Sequence, residues 1–125
     1  MATGLENLWI YKLAEDLEIE VYNITKDFPR HEFYKSVDQI RRSSASVANN
    51  MAESYHRSTT KDRVRILRIA LGEAEETKRN LHKSSRKGFI EDDKSASICE
   101  RYTVLMKGTN AYIRFLEVGK NNNLN

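Results

Sequence analysis

Cysteine occurs once in these 125 residues, as Cys99, and proline once, as Pro29. A lone cysteine excludes an internal disulfide and a cysteine-based zinc site. One proline and five glycines exclude a sheet with many turns and leave room for long helices. No run of about 18 apolar residues is present, and the N-terminus lacks a basic stretch followed by an apolar one. Neither a membrane span nor a signal peptide is expected, and the single thiol fits a reducing, cytoplasmic setting. Also missing are a phosphate-cradling glycine loop and a Gly-x-Ser-x-Gly elbow. No cofactor is implied.

What the chain has instead is charge. Asp, Glu, Lys and Arg make up 31% of it, and the formal net charge is +3. The distribution is uneven. Residues 1–25 carry a net −4, residues 26–68 a net +5, and Lys78 to Lys87 hold five bases and no acid. Such asymmetry speaks to partners and not to fold. The hydrophobic fraction of 39% is low for a large self-contained core, so part of the apolar surface is expected to close only in an oligomer.

Apolar residues at steps of three and four give four amphipathic helices. The first, about 8–27, uses Ile10, Leu13, Leu17, Val21 and Ile24, with Trp9 and Tyr22 at its buried edge. Its acidic outer face, Glu15 to Glu20, is expected to meet a basic partner. Phe28-Pro29 ends it, since the residue before proline is pushed out of the α region. The second, about 32–56, carries a narrow stripe of Val37, Ile40, Ser44, Val47, Met51 and Tyr55 among small residues. The third, about 60–87, starts with the capping pattern Thr59-x-x-Asp62 and stops at Gly88. Its core side is Val64, Leu67, Leu71, Ala74 and Leu81. The fourth, about 92–118, opens on Glu91-Asp92-Asp93 and uses Ile98, Tyr102, Leu105, Met106, Ile113, Leu116 and Val118. Residues 1–7 are expected to fray and the Asn-rich tail, 119–125, to be disordered. Short loops make neighbours antiparallel, so the chain reads as one domain: an all-α, up-down-up-down four-helix bundle.

The segment 27–57 supports a family resemblance. Asp27-Phe-Pro-Arg-His-Glu-Phe-Tyr34, then Gln39-Ile-Arg-Arg-Ser-Ser-Ala-Ser-Val47, then Asn50-Met-Ala-Glu53 and Arg57-Ser58 resemble the four-helix-bundle proteins encoded in intervening sequences of bacterial 23S ribosomal RNA genes. Leu67-Arg-Ile-Ala-Leu-Gly-Glu-Ala-Glu75 and Gly88-Phe-Ile90 continue the likeness, which spans about Leu8 to Leu116. Two positions depart from the family pattern: Ala48 stands where a proline is frequent, and Ser54 where glycine is. The first leaves helix two without a kink and the second removes a flexible exit. The resemblance implies a non-enzymatic, ring-shaped homopentamer. It is shared with the accessory variability proteins of diversity-generating retroelements, which bind a reverse transcriptase and nucleic acid through a basic surface.

The bases Arg41, Arg42, Arg57, Lys61, Arg63, Arg65 and Arg68, with Lys78, Arg79, Lys83, Arg86 and Lys87, are the candidates for binding RNA or an RNA/DNA hybrid. The alternative is a purely structural oligomer, or a ribosome-associated protein, whose arginines serve subunit contacts. Arg41 and Arg42 lie about 100° apart on a helix, so one is expected to be buried with Glu53 or Asn50 and the other exposed. Gln39, Asn50 and Glu53 are expected to form a structural polar network beside the small-residue stripe. Tyr34 and Tyr55 are the candidate surface aromatics. A bundle can host a di-iron site built on two Glu-x-x-His pairs, but this chain has one, Glu53/His56, and no metal site is assigned. No serine has a histidine and an acid placed to activate it, so catalysis is not expected.

Overall fold

The computed structural model describes Gly4, Leu5 and residues 8–123, the last four through their helical backbone alone. Among these residues all regular structure is helical. Four long helices form: α1 (Trp9–Thr25), α2 (Asp38–Tyr55), α3 (Thr60–Arg86) and α4 (Asp92–Asn123). A 3-10 turn at Arg30–Glu32 and a π turn at Phe33–Val37 lead into α2. α1 packs on α2, α2 on α3 and α3 on α4, and α4 closes back on α1. Bonds between neighbours run in opposite senses along the chain: Ser95 donates to the Leu81 carbonyl, and Lys78 donates to Thr103. This is the antiparallel four-helix bundle that the periodicity implies. None of these helices is long and apolar enough to cross a membrane.

The inner line of each helix follows the three-and-four spacing. Ile10, Leu17 and Val21 from α1 meet Ile40, Val47 and Met51 from α2, all buried. Leu67 and Leu81 from α3 and Ile98, Leu105 and Ile113 from α4 complete the core. Each such side chain contributes about 1.5–3 kcal/mol by leaving water. Where α2 meets α3 the seam is small, with Ser43, Ala70, Ala74 and Thr77 all buried. The Ser43 and Thr77 hydroxyls lie 2.7 Å apart across it. Tyr102 is also fully buried, its hydroxyl has no protein hydrogen-bond partner, and burial pushes its pKa far above the usual phenol value.

Several expectations are corrected. Trp9 and Tyr22 do not extend the buried edge of α1: they are 53% and 49% exposed. Ala14 and Thr25 take the inner line instead, and Trp9 lies outside, its ring against Gly108 of α4. A Cβ at Gly108 would stand 2.2 Å from the indole, so glycine is what lets the ring rest there. Val118 faces outward as well. Helix one stops at Thr25 rather than 27, and the Thr25 hydroxyl turns back to the Val21 and Tyr22 carbonyls. Helix two is regular only from Asp38, because Phe28 and Val37 must both reach the core and the wider π turn takes up the phase between them. Within that turn the Ser36 hydroxyl donates to Glu32 and holds its carboxyl below the usual range, against the opposing effect of desolvation. That bond is present at neutral pH and is lost as pH falls through the depressed pKa.

Helix α4 runs to Asn123 instead of stopping at 118. No proline follows, Gly119 does not adopt a left-handed conformation, and asparagine costs a helix only a fraction of a kcal/mol per residue (about 0.7 at most). Leu124 and Asn125, like residues 1–3, 6 and 7 of the expected frayed start, lie outside the described residues. The caps of α3 form where the sequence places them. The Asp62 amide donates to the Thr59 hydroxyl. At the other end Gly88 has φ +81°, and the amides of Gly88 and Phe89 donate to the Ser85 and Ser84 carbonyls. That pattern satisfies orphan carbonyls through a left-handed glycine. α2 passes through Ala48 without a break, and Ser54 is buried with its hydroxyl on the Met51 carbonyl.

Candidate nucleic-acid interface

The outer face of α3 is set by spacing. At 100° per residue Lys61, Arg65, Arg68, Arg79, Lys83 and Arg86 fall within an arc of about 60°. All six are exposed, on the side of the helix opposite the buried Ile66, Ala70, Ala74 and Thr77. Over these 26 positions the row is about 38 Å long. Arg65 approaches Asp62 at 3.9 Å. The other five pair with no carboxylate among the described residues. Unneutralised cations held in a line on a rigid rod attract phosphates and release their counterions.

The remaining candidates do not all join this row. Arg42 is exposed on α2 beside a groove of about 390 Å³ toward α3, which Asn49, Glu73 and Glu76 also line. Arg57 is spent on Glu53, one turn back. Arg63 turns inward, its Nε donating to the Arg57 carbonyl at 2.8 Å, and so ties the start of α3 to the end of α2. Lys78 points to α4, its ammonium donating to Thr103 at 2.8 Å. Lys87 is exposed past the end of α3. The structure therefore brings half of the twelve candidate bases into one array and gives Arg41, Arg57, Arg63 and Lys78 local partners.

Of the neighbouring arginines, Arg41 is the half-buried one and Arg42 the exposed one. The partners differ from those expected. Arg41 reaches α1, donating to the Thr25 hydroxyl at 2.9 Å and the Tyr22 carbonyl at 3.2 Å. Its guanidinium lies 4.2 Å from the Tyr22 ring centroid and 5.9 Å from that of Phe33. Rings and hydroxyl thus stabilise this cation in place of Glu53 or Asn50.

Gln39, Asn50 and Glu53 do not form a buried network within the chain. Gln39 and Glu53 are exposed. Asn50 donates to the Ser46 hydroxyl and carbonyl, one turn back on its own helix. Helical geometry offers these groups partners four residues away, and such local bonds compete with longer-range ones. On α1 the Glu20 carboxylate pairs with Arg101 of α4 at 2.5 Å, which raises the Arg101 pKa. Glu15 accepts from Tyr11, so two members of the acidic face are engaged within the chain. Tyr34 is 96% exposed, whereas Tyr55 is half-buried and edge-on to His56. Among the described residues no three His, Cys, Asp or Glu side chains gather in a metal-binding group.

Fold and face together define an antiparallel helical bundle that presents a basic ridge on one long helix, five of its six cations without a carboxylate partner. The chain belongs to the 23S rRNA-intervening sequence protein family, whose model matches residues 6–111. Among solved structures it is similar to a protein with unknown function from the S23 ribosomal protein family of Bacteroides thetaiotaomicron VPI-5482. That match has a TM-score of 0.75 at 24% identity and covers 83% of this chain and 97% of the other. At such identity the likeness bears on fold alone. No curated protein matches.

Proposed function

We propose that this chain is a non-enzymatic scaffold that binds structured RNA, or an RNA–protein complex, through the outer face of α3. The observation that carries the reading is the row of six exposed cations, five of them without a carboxylate partner. A surface whose charges served its own fold would pair them, as Glu20 and Arg101 are paired. The reading includes assembly into a homopentameric ring. Support for assembly comes from the apolar side chains left outside: Trp9, Val104, Phe115 and Val118 are each about half exposed or more. A ring would repeat the basic row in every subunit and gain affinity by multivalency. In its finer form the proposal makes the protein an accessory subunit that holds a reverse transcriptase and its template RNA.

Purification from the native cell at low salt, with and without ribonuclease, tests this. RNA should accompany the protein and be lost on nuclease treatment. Co-purifying reverse transcriptase supports the finer form, and ribosomal RNA alone supports the ribosome-associated one. A clean oligomer without RNA contradicts the proposal and leaves a structural scaffold.

A further inference from the structure

We infer that the basic face of α3 is spaced to contact double-stranded RNA on successive helical turns, an inference that rests on the RNA-binding reading above. The six cations are two triads with the same internal spacing: Lys61, Arg65, Arg68 and Arg79, Lys83, Arg86. Each member of the second triad stands 18 residues after its counterpart in the first. Eighteen residues are about five helical turns, so the two triads point the same way and lie about 27 Å apart along the axis. α3 is continuous between them. Midway the surface changes character. Gly72 leaves it bare, with nothing within 4 Å of where a Cβ would stand, and the carboxylates of Glu75 and Glu76 flank the line. Along the rod the order is positive, then bare and acidic, then positive.

A duplex laid alongside such a rod repeats each strand's phosphate ridge once per helical turn, so the two triads can meet the same strand on successive turns. Lysine and arginine are suited to the ridges, and the arginine fork can hold a phosphate by two hydrogen bonds. The 27 Å separation falls short of the B-DNA turn of about 34 Å and suits the more compressed A-form helix. Double-stranded RNA is recognised through such shape and backbone contacts, over about 16 base pairs where successive minor grooves are engaged. A flexible single strand has no fixed ridge spacing and gains nothing from the 18-residue repeat.

The test uses the full chain with blunt RNA duplexes of about 8, 12, 16 and 20 base pairs, and single strands of equal length, at fixed low salt. The comparison protein is the triple variant Arg79→Ala, Lys83→Ala, Arg86→Ala, and a second variant removes the first triad by Lys61→Ala, Arg65→Ala, Arg68→Ala. All six positions are exposed, and retained helicity confirms folding of each. For the native protein, affinity should rise at least about tenfold once the duplex spans both triads, a gain of the kind expected when a second linked contact engages. Either variant should lose that step, and its log–log salt slope should fall by about 2.7, three contacts at about 0.9 each. Single strands should bind more weakly than duplexes. A smooth rise with length that the variants share, or single strands that bind as tightly, overturns the inference and leaves RNA binding standing. Failure to bind any RNA overturns the proposed function itself.

Discussion

Reversing three charges on the outer face of α3, by Arg65→Glu, Arg68→Glu and Arg79→Glu together, is expected to lower affinity for structured RNA by roughly 100-fold or more at low salt. On the proposed reading each replacement would remove a phosphate contact and add a repulsive charge on a face opposite the core. Arg68 and Arg79 have no carboxylate partner and Arg65 has only a 3.9 Å approach to Asp62, so little folded-state stabilisation is lost. Circular dichroism and oligomer mass should be unchanged, while RNA binding measured by fluorescence anisotropy collapses. As a control, Lys78→Ala should have a small effect, because that ammonium is committed to Thr103. Equal losses at Lys78 and in the α3 row would mean that net charge, not the array, attracts RNA.

Stability is expected to rest on the inner lines of the helices and hardly at all on surface ion pairs. Leu67→Ala should cost about 2–5 kcal/mol, as for other fully buried leucines, since Leu67 has no exposed surface. Against a typical total of about 5–15 kcal/mol that is a large fraction. Arg101→Ala removes a 2.5 Å pair with Glu20, but both side chains are 39% exposed. Solvent screening leaves such a pair worth about 1 kcal/mol or less. Urea denaturation of the two variants decides between them. A larger loss for Arg101→Ala than for Leu67→Ala would move the centre of stability from the core to the α1–α4 edge.

Residues that act through nearest neighbours along the chain were legible in the sequence, and those that depend on distant partners were not. Thr59 and Gly88 lie within a few residues of the backbone groups they satisfy, so the ends of α3 could be read directly. Three-and-four spacing found part of the inner line of every helix, but Leu13 and Ile24 of α1 and Val64 and Leu71 of α3 are only partly buried, while Ala14, Thr25, Ala70 and Thr77 stand inside. It has no way to register 3-10 and π turns, whose phase differs, and the six residues from Glu32 to Val37 that it assigns to regular helix are wound otherwise. Trp9 has an apolar ring at a helical position, and only Gly108, near the other end of the chain, explains why it lies outside. Arg41 and Arg42 differ in helical angle, and it is Tyr22 and Thr25 that decide which of them is held inside. Among the bases, sequence order grouped twelve residues. Helical angle and local bonding reduce the array to six.

Tertiary context also decides what the polar residues of α2 do. Asn50 and Glu53 sit beside small side chains, which suggested a buried network, but one-turn neighbours Ser46 and Arg57 satisfy them first. The buried polar contact across the seam instead joins Ser43 to Thr77, two hydroxyls small enough to let α2 and α3 approach. With α2 engaged inward, α3 is left as the long ridge with free charge on its outer side.

The most direct measurement of that charge is the salt dependence of binding. Equilibrium affinity of the purified protein for a structured RNA hairpin would be followed from about 50 to 200 mM salt, a range over which six phosphate contacts cost about 1,000-fold in affinity. A steep linear fall of log affinity with log salt, made shallower by the Arg65, Arg68 and Arg79 reversals, is the result expected. Affinity that is independent of salt, or equal in the reversed and native proteins, would contradict phosphate binding by α3.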